Sequence, residues 1–245
     1  MNISFYTART GLIAQQQGMN IYANNIANVN TIGYKPLRPS FAECIYTLQH
    51  PQREEFQTGH GQYLSKTDLM WAQGGLIASE MPLDIALPND GFFMTVNAYG
   101  ETFLTRDGRF GITNTGEQWE LVHGNGDFVL GHDGERIVIP FLPGRNDELS
   151  TDIDYDTLYG MIGVYFVPNN WGLDQASDNR FVVTDRSGAA MSDPEADKVP
   201  FAIENSSTDL AGDMVRVIET QRSYQLNAKM VQVSDEIMKT VNNLR

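Results

Sequence analysis

A chain of 245 residues with 41% hydrophobic and 20% charged residues has the composition of a folded globular protein, long enough for one large core or two smaller ones. Its 17 Lys and Arg against 31 Asp and Glu leave a net charge of −14, which argues against a phosphate-neutralising face and so against nucleic acid as a partner. The one cysteine, Cys44, rules out an intramolecular disulfide framework and a cysteine-built zinc site. The opening "MNISFYTARTGLIAQQQ" has no basic stretch followed by an unbroken apolar run, so it does not read as a cleaved secretory signal. No apolar run reaches the roughly 18 residues that a membrane-spanning helix needs.

From Phe5 onward apolar residues recur every seven positions, at Phe5, Leu12, Met19 and Ile26. Ala8, Gln15, Tyr22 and Val29 fill the positions between, a 3–4 spacing that predicts a helix over about residues 4–30. Gly33 marks a candidate C-cap region, with Pro36 just beyond. Near the helix end "ANNIANVNT" places Asn24, Asn25, Asn28 and Asn30, residues whose side chains compete for backbone hydrogen bonds. Polar residues in a packed seam fix register and partner choice, and asparagines also bond the backbone where a helix ends. A solvated face with a cap is the other reading of the same residues.

Residues 36–75, with Pro36, Pro39 and Pro51, read as a connector with some extended structure. Over residues 76–204 the period becomes two: "GFFMTV", "ETFLT", "RFGI", "QWELV", "DFVLG" and "RIVIP" are short strands. Glycines at 100, 108, 116, 126 and 134 supply the turns between them, which predicts an antiparallel meander. Further strands are expected at 160–167 and 180–184, and "LPGRNDELSTDIDYD" as a polar insertion or loop. Asp84 lies inside the apolar run "MPLDIALP", with Arg106 of "TRDG" as a candidate charge-assisted partner that would pin the β domain.

At the other end Leu210, Val217, Tyr224, Val231 and Met238 recur every seven positions, preceded by candidate N-caps Ser206, Ser207, Thr208 and Asp209. A second stripe holds Met230, Val233, Ile237 and Val241. One face can pair with the N-terminal helix, and the other then needs cover from outside the chain. The expected fold is α+β: helical assembly segments at 1–35 and 205–245 whose long helices pair as a coiled coil, the connector over 36–75, and a central antiparallel β-rich domain over 76–204.

The chemistry-bearing residues are sparse. His50, His60, His123 and His132 have no metal-ligand spacing and read as surface or turn residues. No nucleophile elbow, phosphate loop or dinucleotide fingerprint occurs, so neither an enzyme nor a cofactor is indicated. An Asp84–Asp107 catalytic dyad is less favoured than structural pinning. A rival of another class is a secreted β-rich glycan-binding module or enzyme with helical oligomerisation termini, using Trp71, Trp119 and Trp171 as a platform.

"GLIAQQQGMNIYANNIANVNTIGYK" resembles the N-terminal motif of bacterial flagellar rod and hook proteins. The segment from Asn205 to Leu244, with Gln221–Tyr224 and Asn227–Lys229 as its cores, resembles their C-terminal motif. "PLDIALPNDGFF" with "TRDGRF", and then "GVYFVPNNWGLDQASDNRFVVTDRSG", resemble interior segments in the same order. The resemblance implies a subunit of the flagellar basal body that assembles with copies of itself, with other rod and hook proteins, and with the type III export apparatus. It would cross the inner membrane without a cleaved signal and need no cofactor. A central zone without extra outer domains favours the rod over the hook, with the distal rod type first and the proximal type next. The expected assembly surface combines Phe5, Leu12, Met19, Asn24, Asn25, Ile26 and Asn28 with Leu210, Val217, Gln221, Tyr224, Asn227, Val231 and Met238. Met230, Val233, Ile237 and Val241 would face neighbouring subunits.

Overall fold

The sevenfold repeats at the two ends do form helices in the computed structural model, which describes residues 3–45, 47–48, 57–116, 118–143 and 149–244. Helix α1 spans Ile3–Ala27, a short α2 spans Tyr155–Met161, and α3 spans Leu210–Asn243. Between them the chain is antiparallel β structure, so the fold is α+β. Two compact units result. One takes its described residues from Met1–Val29, Pro36–Met70 and Thr208–Arg245, the other from Asn30–Lys35 and Trp71–Ser207.

In the first unit α1 packs on α3 and on a two-stranded sheet of Leu37–Glu43 and Gln62–Leu69. Pro39 is tolerated in this sheet, opposite Thr67, because both strands of a two-stranded sheet are edges. At 34 residues α3 is about 50 Å long. Asp209 is its N-cap, accepting from the Gly212 amide at 3.1 Å.

In the second unit the main sheet runs, from one edge to the other, Asp174–Gln175, Arg180–Val182, Thr102–Thr105, Phe92–Val96, Phe128–Val129, Trp119–His123 and Phe110–Asn114. Val164–Phe166 joins it through Phe92–Val96 and carries Met191–Ser192 beside it. Gly100, Gly116, Gly126 and Gly134 adopt positive φ at the turns, the conformation that glycine reaches at least cost. Inward-facing Phe93, Leu121, Val129, Leu158, Ile162 and Val164 form the core. The segment expected as a polar loop holds most of two paired strands (Phe141–Pro143 with Leu149–Ile153) and leads into α2, capped by Asp154 and anchored by fully buried Leu158. Helix α2 also takes the start of the strand expected at 160–167, which is regular only over Val164–Phe166. "RIVIP" forms bridges rather than a regular strand, although Ile137 and Ile139 are buried as alternation predicts.

A buried ionic cluster joins the segments by which the chain enters this unit. Lys35, Arg106 and Glu204 are 1%, 3% and 1% exposed. One Glu204 oxygen accepts from Lys35 Nζ at 2.6 Å and from the Gly74 amide at 2.9 Å; the other accepts from Arg106 Nη1 at 3.3 Å. Lys35 also donates to the Ala72 carbonyl, and Arg106 to the Asn89 carbonyl, with Asp90 3.7 Å away. Burial pulls the Lys35 ammonium below its usual pKa despite Glu204, which raises it.

The expected Asp84–Arg106 pair is not formed. Arg106 is committed to Glu204, while Asp84 accepts from Ser79 Oγ at 2.5 Å. Gly33, expected near a helix cap, lies six residues beyond α1 at φ +65 and donates to the Glu204 carbonyl at 2.8 Å. A Cβ there would sit 2.8 Å from the Arg106 carbonyl carbon, so glycine is needed for the close approach. Replacing Lys35 by Met leaves Glu204 and Arg106 buried with an unbalanced donor set, and should lower the stability of this unit by about 3 kcal/mol. Urea unfolding followed by fluorescence checks this, because Trp71 packs on Phe92 and Phe181 within the same unit.

Candidate functional site

The helical unit has one buried seam, and small residues build the α1 side of it. Ala8, Gly11, Ala14, Gly18, Tyr22 and Asn25 are the buried positions of α1. A glycine inside a helix costs about 1 kcal/mol relative to alanine, so two of them must be offset by packing. Gly11 does this against α3, where a Cβ would stand 2.8 Å from Asn227 Nδ2. Gly18 does it against the hairpin, where a Cβ would stand 2.8 Å from Phe41 Cζ. Helix α1 is therefore enclosed from two directions.

On α3 the buried residues Asp213, Thr220 and Ser234, with half-buried Val217, Tyr224, Asn227 and Val231, alternate at spacings of four and three. The helices run antiparallel: Asn25 lies by Asp213, Tyr22 takes the Arg216 guanidinium at 5.7 Å from its ring, and Gly11 meets Asn227. Burial holds the Asp213 carboxyl above its usual pKa, and its hydrogen bond with Asn25 works against that.

Sequence-predicted residues fall into three groups. Val217, Tyr224, Asn227 and Val231 lie in the seam. Phe5, Leu12, Met19 and Ile26 do not form its centre; they are half-buried along its flank, one position out of phase with Gly11, Gly18 and Asn25. Large side chains there would hold the helices apart, so the centre goes to glycine and alanine. Leu210, Gln221 and Met238 are exposed, as are Met230 at 50%, Val233 at 40%, Ile237 at 53% and Val241 at 56%. From Asp235 to Leu244 α3 buries nothing against the described residues, consistent with a register that carries it past the start of α1.

The asparagines divide as well. Asn25, 2% exposed, donates to the Leu37 carbonyl at 2.8 Å and accepts from the Leu37 amide at 2.9 Å. Its side chain thus imitates a strand partner and fixes where the hairpin leaves the helix. Asn28 donates to the Asn24 carbonyl and side chain at 3.0 and 2.7 Å on the exposed helix end. Sequence reading overlooked Gly11, Ala14 and Gly18, whose signal was the small-residue spacing inside "ARTGLIAQQQG". It also overlooked Asp213, Thr220 and Ser234, which with Asn227 repeat at seven-residue intervals.

The histidines and tryptophans are dispersed. His132 Nε2 lies 2.8 Å from the Gly160 carbonyl, the His60 carbonyl accepts from Thr10, and His50 lies outside the described residues. His123, expected at a surface or turn position, does open the turn to Gly126 but is only 6% exposed, because its ring packs on Phe110 and faces Asp107. Trp71 belongs to an aromatic cluster with Phe92 and Phe181, whereas Trp119 and Trp171 are exposed on different elements.

A chain whose ends pair as helices, with a separate β-rich unit inserted between them, has the build of a structural subunit. Comparison with known proteins is specific on this point. Residues 5–35 match the model of flagella basal body rod proteins, and residues 200–244 match the C-terminal model of the flagellar basal body rod FlgEFG proteins. The chain is 31% identical to the flagellar basal-body rod protein FlgG of Buchnera aphidicola subsp. Baizongia pistaciae, over 98% of this chain and 99% of the relative. It is 31% identical to FlgG of Bacillus subtilis (99% and 98%) and 30% identical to FlgG of Borreliella burgdorferi (99% and 98%). The chain belongs to the flagellar basal-body rod family.

Asn25→Ala should strand the Leu37 amide and carbonyl in a buried site and cost about 2–4 kcal/mol. Chemical denaturation followed by far-ultraviolet circular dichroism measures it. Asn28→Ala, on the exposed end, should change stability by no more than about 0.5 kcal/mol.

Proposed function

We propose that the chain is a distal-type rod subunit that polymerises through its terminal helices into a helical tube. The support for the subtype is the "TARTGL" start together with the C-terminal motif. One observation carries the assembly reading: Met230, Val233, Ile237 and Val241 leave α3 apolar on a second face, with further exposed Leu226, Met238 and Leu244. Apolar area of that kind on a soluble protein marks an interaction surface. Repetition of one heterologous contact between identical subunits gives an open helical array instead of a closed ring.

In this reading α1 and α3 pair as a coiled coil, supported by the alternating spacing of four and three along the α3 seam from Asp213 to Ser234. The tube transmits torque and encloses the path of exported subunits. Its neighbours are other rod and hook proteins, and the chain reaches them through the type III export apparatus without a cleaved signal. The charge of −14 keeps free monomers apart by mutual repulsion until local contacts overcome it.

Introducing charge on the second face tests this. A Val233→Asp, Ile237→Asp variant should keep the circular dichroism and melting behaviour of the wild type, because both side chains are exposed in the monomer. It should remain dispersed by sedimentation and electron microscopy under conditions, including seeding with basal bodies, in which the wild type forms tubes. Tubes of wild-type abundance from the variant would overturn the assignment of this face.

A further inference from the structure

His123 and its neighbours form a second polar cluster in the β-rich unit, and rod assembly makes no use of it. The residue ends the strand Trp119–His123, and its turn leads through Asn125 to Asp127. Asp107 faces it from the "TRDG" loop, held by Arg109 through Nε at 3.1 Å and Nη2 at 2.8 Å. Asp127 accepts from Arg180 Nη1 at 2.5 Å, and Arg180 lies over the Phe103 ring with Asp178 3.5 Å away. Asp84 adds its charge beside Arg109. Asp107, His123 and Asp127 are each 6% exposed.

The donors and acceptors fix the proton on Nδ1, and the carboxylate beside Nε2 favours a second. An ionised carboxylate only accepts, so the Asn125 amide nitrogen, which donates to Asp127 Oδ2 at 3.0 Å, is the end facing Asp127. That leaves Asn125 Oδ1, an acceptor, 2.7 Å from His123 Nδ1, so Nδ1 carries hydrogen. The Asn125 backbone amide also points at Nδ1 but from 3.5 Å, too far to compete. On the other side Nε2 is buried 3.5 Å from Asp107 Oδ2 and has no hydrogen-bond partner among the described residues. A bare Nε2 lone pair would face a carboxylate across a site shielded from water. With hydrogen on both nitrogens the same geometry is attractive.

We propose that His123 is an imidazolium latch: protonated, it ties the 105–109 loop to the 123–127 turn, and losing its proton at alkaline pH releases that tie. Burial by itself disfavours the charged ring, but Asp107, Asn125 and Asp127 outweigh it and hold His123 above its usual 6.5. Asp107 is held down to about 2 against its own burial by His123 and Arg109, so it stays ionised wherever His123 titrates. A histidine whose folded pKa lies above the unfolded one gives stability that is complete below pH 6.5 and is lost as pH rises through the folded value.

The test uses the full chain, dispersed, in two measurements. Nitrogen-15 spectra of the imidazoles should show His123 protonated on both nitrogens at neutral pH and losing one of these protons as the pH rises. Melting temperatures across about pH 6 to pH 9 should fall for the wild type through that same titration, and His123→Gln should lack the step. A His123 that is singly protonated at neutral pH, or a wild type and variant that lose stability in parallel, would overturn the latch. If His123→Gln does not fold, the spectra decide alone.

Discussion

Glu204 is a carboxylate with about 1% of its surface exposed, and the β-rich unit closes around it. An isolated charge in such a place would be prohibitive, so its donors must all arrive together. They come from positions far apart in sequence: Lys35 at the end of the N-terminal motif, Gly74 where the chain re-enters the unit, and Arg106 in the "TRDG" loop. Glu204 itself stands just ahead of α3. Gly33 and its bond to the Glu204 backbone complete the arrangement. The segments joining the β-rich unit to both terminal helices are thereby part of its interior, and a cluster satisfied by several distant segments forms as a whole or not at all.

The helical unit solves a different problem with opposite means. Its α1 side is built mainly from small residues and its α3 side alternates Asp213, Thr220, Asn227 and Ser234 with Val217, Tyr224 and Val231, while Leu226, Met230 and Ile237 are exposed. A monomer optimised for its own stability would bury Leu226, Met230 and Ile237 and expose Thr220 and Asn227. Here the reverse holds. Close approach of α1 and α3 across Gly11 needs little apolar volume and leaves the larger residues exposed. In the proposed assembly, stability of the isolated subunit is traded for capacity to associate.

The start of α3 at its Asp209 cap, strand alternation and turn glycines were legible from sequence because each has a local physical signature, whereas α1 ends at Ala27, well short of Gly33. The seven-residue repeats located α1 and α3, and four of the five turn glycines named from spacing adopt positive φ. The phase of the seam on α1 was not legible by the same rule. Hydrophobic periodicity weighs large side chains, and Phe5, Leu12, Met19 and Ile26 carried more weight than Gly11 and Gly18. Arg106's partner was beyond local reading too, since Glu204 lies 98 residues away in a short strand with nothing to mark it. Asp84 was nearer and looked equally anomalous, yet Ser79 satisfies it. The short helix α2 had a signal, an Asp154 cap before Leu158 and Ile162, which its acidic surroundings obscured.

The central claim is that α3 presents an apolar face that only assembly covers. Amide hydrogen exchange read by mass spectrometry, on the dispersed subunit and on assembled tubes, tests it most directly. In the dispersed chain the stretch from Met230 to Leu244, unsupported beyond Ser234, should exchange fast, while the segment around Tyr224 opposite α1 is slower. In tubes Met230–Leu244 should become the most strongly protected part of α3. Unchanged exchange there, with new protection confined to the β-rich unit, would contradict the account and place the subunit contacts elsewhere.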